Sequence, residues 1–173
     1  MINVAYQRFD RLVRLFIPFL SSVFLVLLTA IPIYLPGFGD IPINVGLIAA
    51  FYWAIYRPDL FPAIAAFLLG LWQDILIGGP VGLYSIILLL TNWLIVSQRR
   101  FFQGKSFVII WCSFSIVSLS TATLSWIIFC GLNVAFVSPI AVFFQAFLTI
   151  GAFPFVAWLL ARVQHALLRT VYV

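Results

Sequence analysis

Apolar residues run along this chain in long blocks separated by short polar or glycine-proline punctuation, and the blocks define its elements. They predict helices over Leu15 to Leu35, Ile43 to Tyr56, Leu60 to Ile77, Val81 to Ser97, Phe107 to Cys130 and Ser138 to Ala161. A helix needs about 20 apolar residues to cross a hydrocarbon layer of about 30 Å, where no water is at hand to satisfy a stranded backbone group. The second and third blocks are shorter than that, and Arg57-Pro58-Asp59 between them is a tight polar turn, so a re-entrant pair competes with two full spans. Two spans are favoured, because Pro62 falls in a first helical turn, where its missing N–H is harmless, and both blocks nearly suffice. The pattern predicts an all-α polytopic membrane protein, a bundle of six transmembrane helices forming a single integral membrane domain over residues 1–173.

Composition supports this pattern. Apolar residues make up 65% of the chain and charged ones 8%, against about a quarter charged in an ordinary soluble domain. A water-soluble fold could not cover itself with so few charges. The net charge of +5 would suggest nucleic acid in a soluble protein, but here the nine Lys and Arg residues stand at block ends, where they mark topology and can touch anionic lipid head groups. No nucleic-acid role is expected.

The positions of the cations also orient the chain. Arg8, Arg11 and Arg14 precede the first block, Arg57 follows the second, Arg99, Arg100 and Lys105 follow the fourth, and Arg162 and Arg169 follow the sixth. Six crossings put all nine on one side, while the opposite connections at Gly37 to Pro42, Gly78 to Pro80 and Gly131 to Val137 carry none. Retention of Lys and Arg in the cytoplasm therefore predicts two cytoplasmic termini. Arg8, Arg11 and Arg14 before an apolar stretch resemble a signal peptide, but the stretch is too long and lacks an A-x-A site, so it reads as a retained first helix.

Chemistry inside the blocks is sparse. Gly46, Ala50 and Ala54 recur at every fourth residue of the second, and Ala66, Gly70 and Asp74 do so in the third. Each set shares a helix face that allows close helix approach, and these residues are candidates for helix packing or partner contact. Asp74 is the one carboxyl group within an apolar block, so it is expected to point into the bundle or its outer mouth, bonded to backbone groups of the Gly78 to Gly82 turn or available to a partner. Gly78, Pro80 and Gly82 complete that turn, where glycine supplies unusual backbone angles and proline stops helix continuation.

Asn92, Gln145 and the hydroxyls of the fifth block, Ser113, Ser115, Ser118, Ser120, Thr121, Thr123 and Ser125, are expected to bond their own helix or a neighbour. Tyr52, Trp53, Tyr56 and Trp72 are expected in an interfacial aromatic belt. Cys112 and Cys130 lie eighteen positions apart on one predicted helix, which at about 1.5 Å per residue is far beyond disulfide reach.

Catalysis has no residues to work with. The chain has no Glu, and its single His, His165, lies beyond the sixth block. Neither a Ser-His intramembrane protease nor a metalloprotease can be assembled, and no phosphate-binding glycine loop occurs. No catalytic, cofactor-binding or metal-binding residue is expected.

The series Phe51-Tyr52-Trp53, Arg57-Pro58, Pro62, Phe67, Gly70-Leu71-Trp72-Gln73-Asp74-Ile75-Leu76, Gly78-Gly79-Pro80 and Gly82 resembles the bacterial rod shape-determining protein MreD family. In that family an aromatic pair ends one span, a proline-containing turn follows, and the next span closes on G-x-x-x-D and a glycine-proline-glycine turn. The resemblance implies a non-enzymatic inner-membrane scaffold of the lateral cell-wall elongation machinery, supporting cell shape and peptidoglycan synthesis. Its implied partners are MreC, the actin-like MreB, the glycosyltransferase RodA and a class B penicillin-binding transpeptidase.

The family is also similar in fold to the substrate-binding subunits of energy-coupling-factor vitamin transporters, which supplies an alternative function. Those subunits dock through small residues of the first helix, whereas this chain has bulky Phe24, Leu25, Val26, Leu27 and Leu28 there and no A-x-x-x-A. A small flippase or exporter is a third class, and it would require more charged lining than Asp74 supplies.

Overall fold

The computed structural model describes residues 18–28, 43–78, 80–102, 104–132 and 139–169. Arg8, Arg11, Arg14, the ends of the first expected span, the turn at Gly37 to Pro42 and Gly79 lie outside the described residues. Those described are helical nearly throughout: α1 (Pro18–Leu28), α2 (Val45–Tyr56), α3 (Ala63–Ile77), α4 (Leu83–Ser97), α5 (Arg99–Phe102), α6 (Phe107–Leu132) and α7 (Pro139–Arg169). A single 3₁₀ turn, Pro58–Leu60, joins α2 to α3.

Two helices, α6 and α7, are long and apolar enough to cross a membrane by themselves, over Phe107–Gly131 and Pro139–His165. The helices α2, α3 and α4 have 12, 15 and 15 residues, or about 18 to 22 Å. The short α5 was not anticipated. Its four residues, Arg-Arg-Phe-Phe, carry too little pattern to reveal a helix. The last helix also runs to Arg169, beyond the Ala161 at which its apolar block ends.

The helices alternate in direction between two ends of the bundle. At one end Tyr52 near the C-terminus of α2 bonds Gln164 of α7, and α5 and the start of α6 pack beside them. At the other end the N-cap of α2 meets the end of α3 and the early part of α7. Arg57, Arg99, Arg100, Lys105 and Arg162 accordingly gather at the first, basic end, whereas the described residues of the second carry no cation.

At the centre lies α2, where eleven of twelve residues are buried. It is apolar on every side and touches α3, α4, α5 and α7, so it can be short without exposing its ends to hydrocarbon. Phe51 anchors an aromatic knot, 5.1 Å from Phe114 of α6 and 5.9 Å from Phe153 of α7, with Phe114 and Phe153 stacked at 4.3 Å.

This central position corrects the expectation for Tyr52 and Trp53. Neither belongs to an interfacial belt: Trp53 is 0% exposed and Tyr52 is buried, because from Val45 to Ile55 α2 has no outward face on which they could lie. The Trp53 indole N–H has no hydrogen-bond partner among the described residues. Tyr56 and Trp72 are exposed.

The long pair is held differently. Pro154 inside α7 has no N–H to offer the carbonyl of Ile150 four residues earlier. The indole of Trp111 in α6 donates to that carbonyl at 3.0 Å, satisfying a group the helix cannot and tying α6 to α7.

Candidate functional site

The end of α3 and the start of α4 are joined through one side chain. A helix leaves its first N–H groups without intrahelical acceptors, and Ser, Thr, Asp or Asn at the N-cap usually supplies one. The N-cap of α4 is Gly82, at φ 103°, and it has no side chain to do so. Asp74 does it instead, from eight residues upstream. Its carboxyl oxygens accept from the N–H groups of Gly82 at 2.8 Å, Tyr84 at 3.0 Å and Ser85 at 3.4 Å, and from the Ser85 hydroxyl at 3.3 Å. The carbonyl of Asp74 also accepts the N–H of Gly78, which closes α3 in the left-handed conformation at φ 71°. Asp74 thus ends one helix with its backbone and begins the next with its side chain, and at 1% exposure it is shielded from water and lipid.

The hairpin can close this tightly because of Gly70. A Cβ at that position would collide with the Cα of Ser85 and lie 2.6 Å from its backbone nitrogen and 2.7 Å from the carbonyl carbon of Tyr84. Gly70 and Asp74, four residues apart, therefore act on the same turn of α4: one lets the backbones approach and the other bonds the amides brought into reach.

The bonding continues sideways. Gln73, beside Asp74, donates from Nε2 to the Asn44 side-chain oxygen at 2.9 Å. That oxygen also accepts the N–H of Leu47 at 3.0 Å, capping α2, while the Asn44 N–H donates to the Thr149 hydroxyl of α7 at 3.1 Å. Thr149 in turn donates to the Gln145 carbonyl at 2.7 Å. One buried chain of polar groups therefore joins α7, α2, α3 and α4 at the neutral end. Such groups are inexpensive to bury only when bonded; the Gln73 Oε1 has no partner among the described residues, but the bonds that are made fix which helix end meets which.

The remaining predicted residues have distinct places. Gly46 makes room for Gln73, whose Oε1 a Cβ there would strike. Ala50, Ala54 and Ala66 are buried inside the chain. Pro80 lies in the hairpin turn, and its carbonyl accepts the N–H of Leu83. Asn92 is buried in α4, its Oδ1 without a partner among the described residues. The hydroxyls of Ser113, Ser115, Ser120, Thr121, Thr123 and Ser125 all donate to carbonyls three or four residues back in α6.

Pattern reading passed over Asn44, Gln73, Tyr84, Ser85 and Thr149. Asn44 carried a usable signal, an N-capping residue before an apolar run; the others are generic residues whose roles arise from packing.

Beside the polar chain lies a recess with about 20 Å³ of inner space, open at its mouth and lined by Asn44, Tyr84, Ser118, Thr121, Ser125 and Gln145 among others. Every polar group in it is neutral, and it has room on the order of one water.

No curated protein and no solved structure matches the chain. The family model for the rod shape-determining protein MreD matches residues 7–163, which include α1 to α6, most of α7 and the whole Gly70–Asp74 hairpin. Members of this family are bacterial inner-membrane proteins, and from this match over nearly its whole length the chain belongs to the rod shape-determining MreD family.

Proposed function

We propose that this protein is a non-enzymatic scaffold of the rod elongation machinery, a single membrane domain of residues 1–173 whose six crossings leave both termini in the cytoplasm. The observation that carries the reading is the family match over residues 7–163. Two features support it. The described cations gather at one end of the bundle, as cytoplasmic retention of Lys and Arg requires. The buried polar groups at the other end are used in joining helices, which suits a rigid holder of other proteins.

In this reading Gly46, Ala50, Ala54, Ala66, Gly70, Asp74, Gly78, Pro80 and Gly82 act from inside, by fixing the positions of helices. Partners meet the outward flanks of the long helices and the turns. MreC, MreB, RodA and a class B penicillin-binding transpeptidase are the partners the kinship implies, and support of lateral peptidoglycan synthesis follows from holding them together.

The runner-up is a vitamin-binding transporter subunit. The recess beside the polar chain counts against it, since its inner space of about 20 Å³ is on the order of one water, far below the about 300 to 1,000 Å³ of ligand pockets.

Depletion in a rod-shaped host separates the two. The scaffold reading predicts rounding and lysis, reversed by the wild-type gene. Intact rods with impaired uptake of one vitamin would instead establish the transporter subunit.

A further inference from the structure

We propose that the α4–α5–α6 connection is a binding site for the phosphate of an anionic phospholipid, with Arg99, Arg100 and Lys105 as its cations and Phe101 as its apolar anchor. The inference rests on the crossing topology proposed above and not on the partners proposed there.

The short helix α5 divides its four residues between the protein and its surroundings. Phe102 is buried and meets the Phe51 ring edge-on at 6.2 Å, fixing α5 to the aromatic knot. Phe101, next to it, is 56% exposed. Lys105 folds back to place its ammonium 5.4 Å from the centre of the Phe101 ring. Arg99 is half-buried, with Nε shut off from solvent and unbonded, so packing fixes the stem and the terminal nitrogens carry its remaining donors. Arg100 is exposed. Three cations therefore lie within seven residues of one stretch of chain, which also carries an outward-facing aromatic ring.

Among the described residues these cations have few anions to pair with. The described carboxyl groups are Asp59 and Asp74, and Asp74 is committed to α4 at the opposite end. Of the described carboxyl groups, Asp59 alone therefore stands against Arg57, Arg99, Arg100, Lys105 and Arg162. A phosphodiester accepts several charge-assisted hydrogen bonds at once and suits mixed guanidinium and ammonium donors. The exposed ring favours a lipid over a soluble anion, because an aromatic side chain at headgroup depth has acyl chain on one side and polar groups on the other. Lipid is also favoured over an acidic protein segment, since the patch continues directly from the outward apolar face of α4, where Trp93, Leu94 and Val96 are exposed.

The test places the full-length protein in bilayer discs of phosphatidylglycerol and phosphatidylcholine and reads the lipid retained by native mass spectrometry. Wild type is expected to enrich phosphatidylglycerol, and enrichment should fall about fivefold for each cation neutralised in Arg99→Gln, Arg100→Gln and Lys105→Gln. The charge-conserving pair Arg99→Lys and Arg100→Lys should keep it. Raised salt should abolish it in wild type, a readout that needs no variant to fold.

Enrichment that survives both salt and the triple substitution overturns the site. So does equal competition by inorganic phosphate, or capture of polyglutamate without lipid enrichment, which would assign the patch to an acidic partner. A folded wild type with no lipid preference defeats this site alone, whereas a chain that does not span the discs defeats the topology.

Discussion

The hairpin α3–α4 and the long helix α6 are built from equally apolar sequence but place their polar groups in opposite ways. In the hairpin, polar groups reach across to other elements: Asp74 to the first turn of α4 and Gln73 to Asn44 at the start of α2. In α6 the hydroxyls turn back on their own helix, and a polar link to α7 comes from the Trp111 indole on the carbonyl that Pro154 leaves open. The first arrangement specifies a particular neighbour, and the second keeps a polar helix compatible with lipid. Within a membrane, where burial of apolar surface does not discriminate between partners, specificity must come from the first kind.

The sharpest way to break this contrast is at glycine. Substitution Gly70→Leu should yield no folded protein. Gly70→Ala should lose about 3 kcal/mol, because the added carbon meets the backbone of α4 and not a movable side chain. Gly151 of α7 has nothing within 4 Å of its ideal Cβ, so Gly151→Ala should lie between no change and about 1 kcal/mol of stabilisation. Thermal unfolding in one detergent measures all three, and equal losses at Gly70 and Gly151 would remove the distinction.

Next in size is the carboxyl group. Asp74→Ala strands three backbone N–H groups and should cost about 3 kcal/mol, while Asp74→Asn keeps one acceptor and should cost about half as much. Rod-shape complementation at matched membrane abundance reads the functional consequence, with Ala expected to fail before Asn.

A smaller effect belongs to the long pair. Trp111→Phe should cost about 1 kcal/mol, and the loss should vanish once Pro154→Ala returns an N–H to the Ile150 carbonyl. A double-mutant cycle with no coupling would show that the indole bond is incidental. Smallest of all is Ser120→Ala, expected within about 0.5 kcal/mol because its hydroxyl serves only its own helix.

Much of the fold could be read from the chain because apolar blocks and glycine-proline breaks record helix limits directly, and α2, α3, α4, α6 and the start of α7 fall within a few residues of the expected helices. Asp74 and Gly70 were visible for the same reason, since a carboxyl group or a repeated small residue in an apolar block contrasts with its surroundings. What could not be read was direction. The amphipathic ring of Trp53 assigned it to the interface, but burial of α2 by four neighbours is a property of the assembled bundle. Gln73 and Thr149 were silent for a related reason, since either residue bonds equally well to its own helix, and only packing decides.

Amide hydrogen exchange in the first turn of α4 tests the central claim most directly, because the amides of Tyr84 and Ser85 have no intrahelical acceptor and owe their protection to Asp74. The account predicts slow exchange at Gly82, Tyr84 and Ser85 in the wild type, and a selective acceleration there in Asp74→Ala while the amides of α6 are unchanged. Exchange at those three positions that is the same with and without the carboxyl group would contradict it.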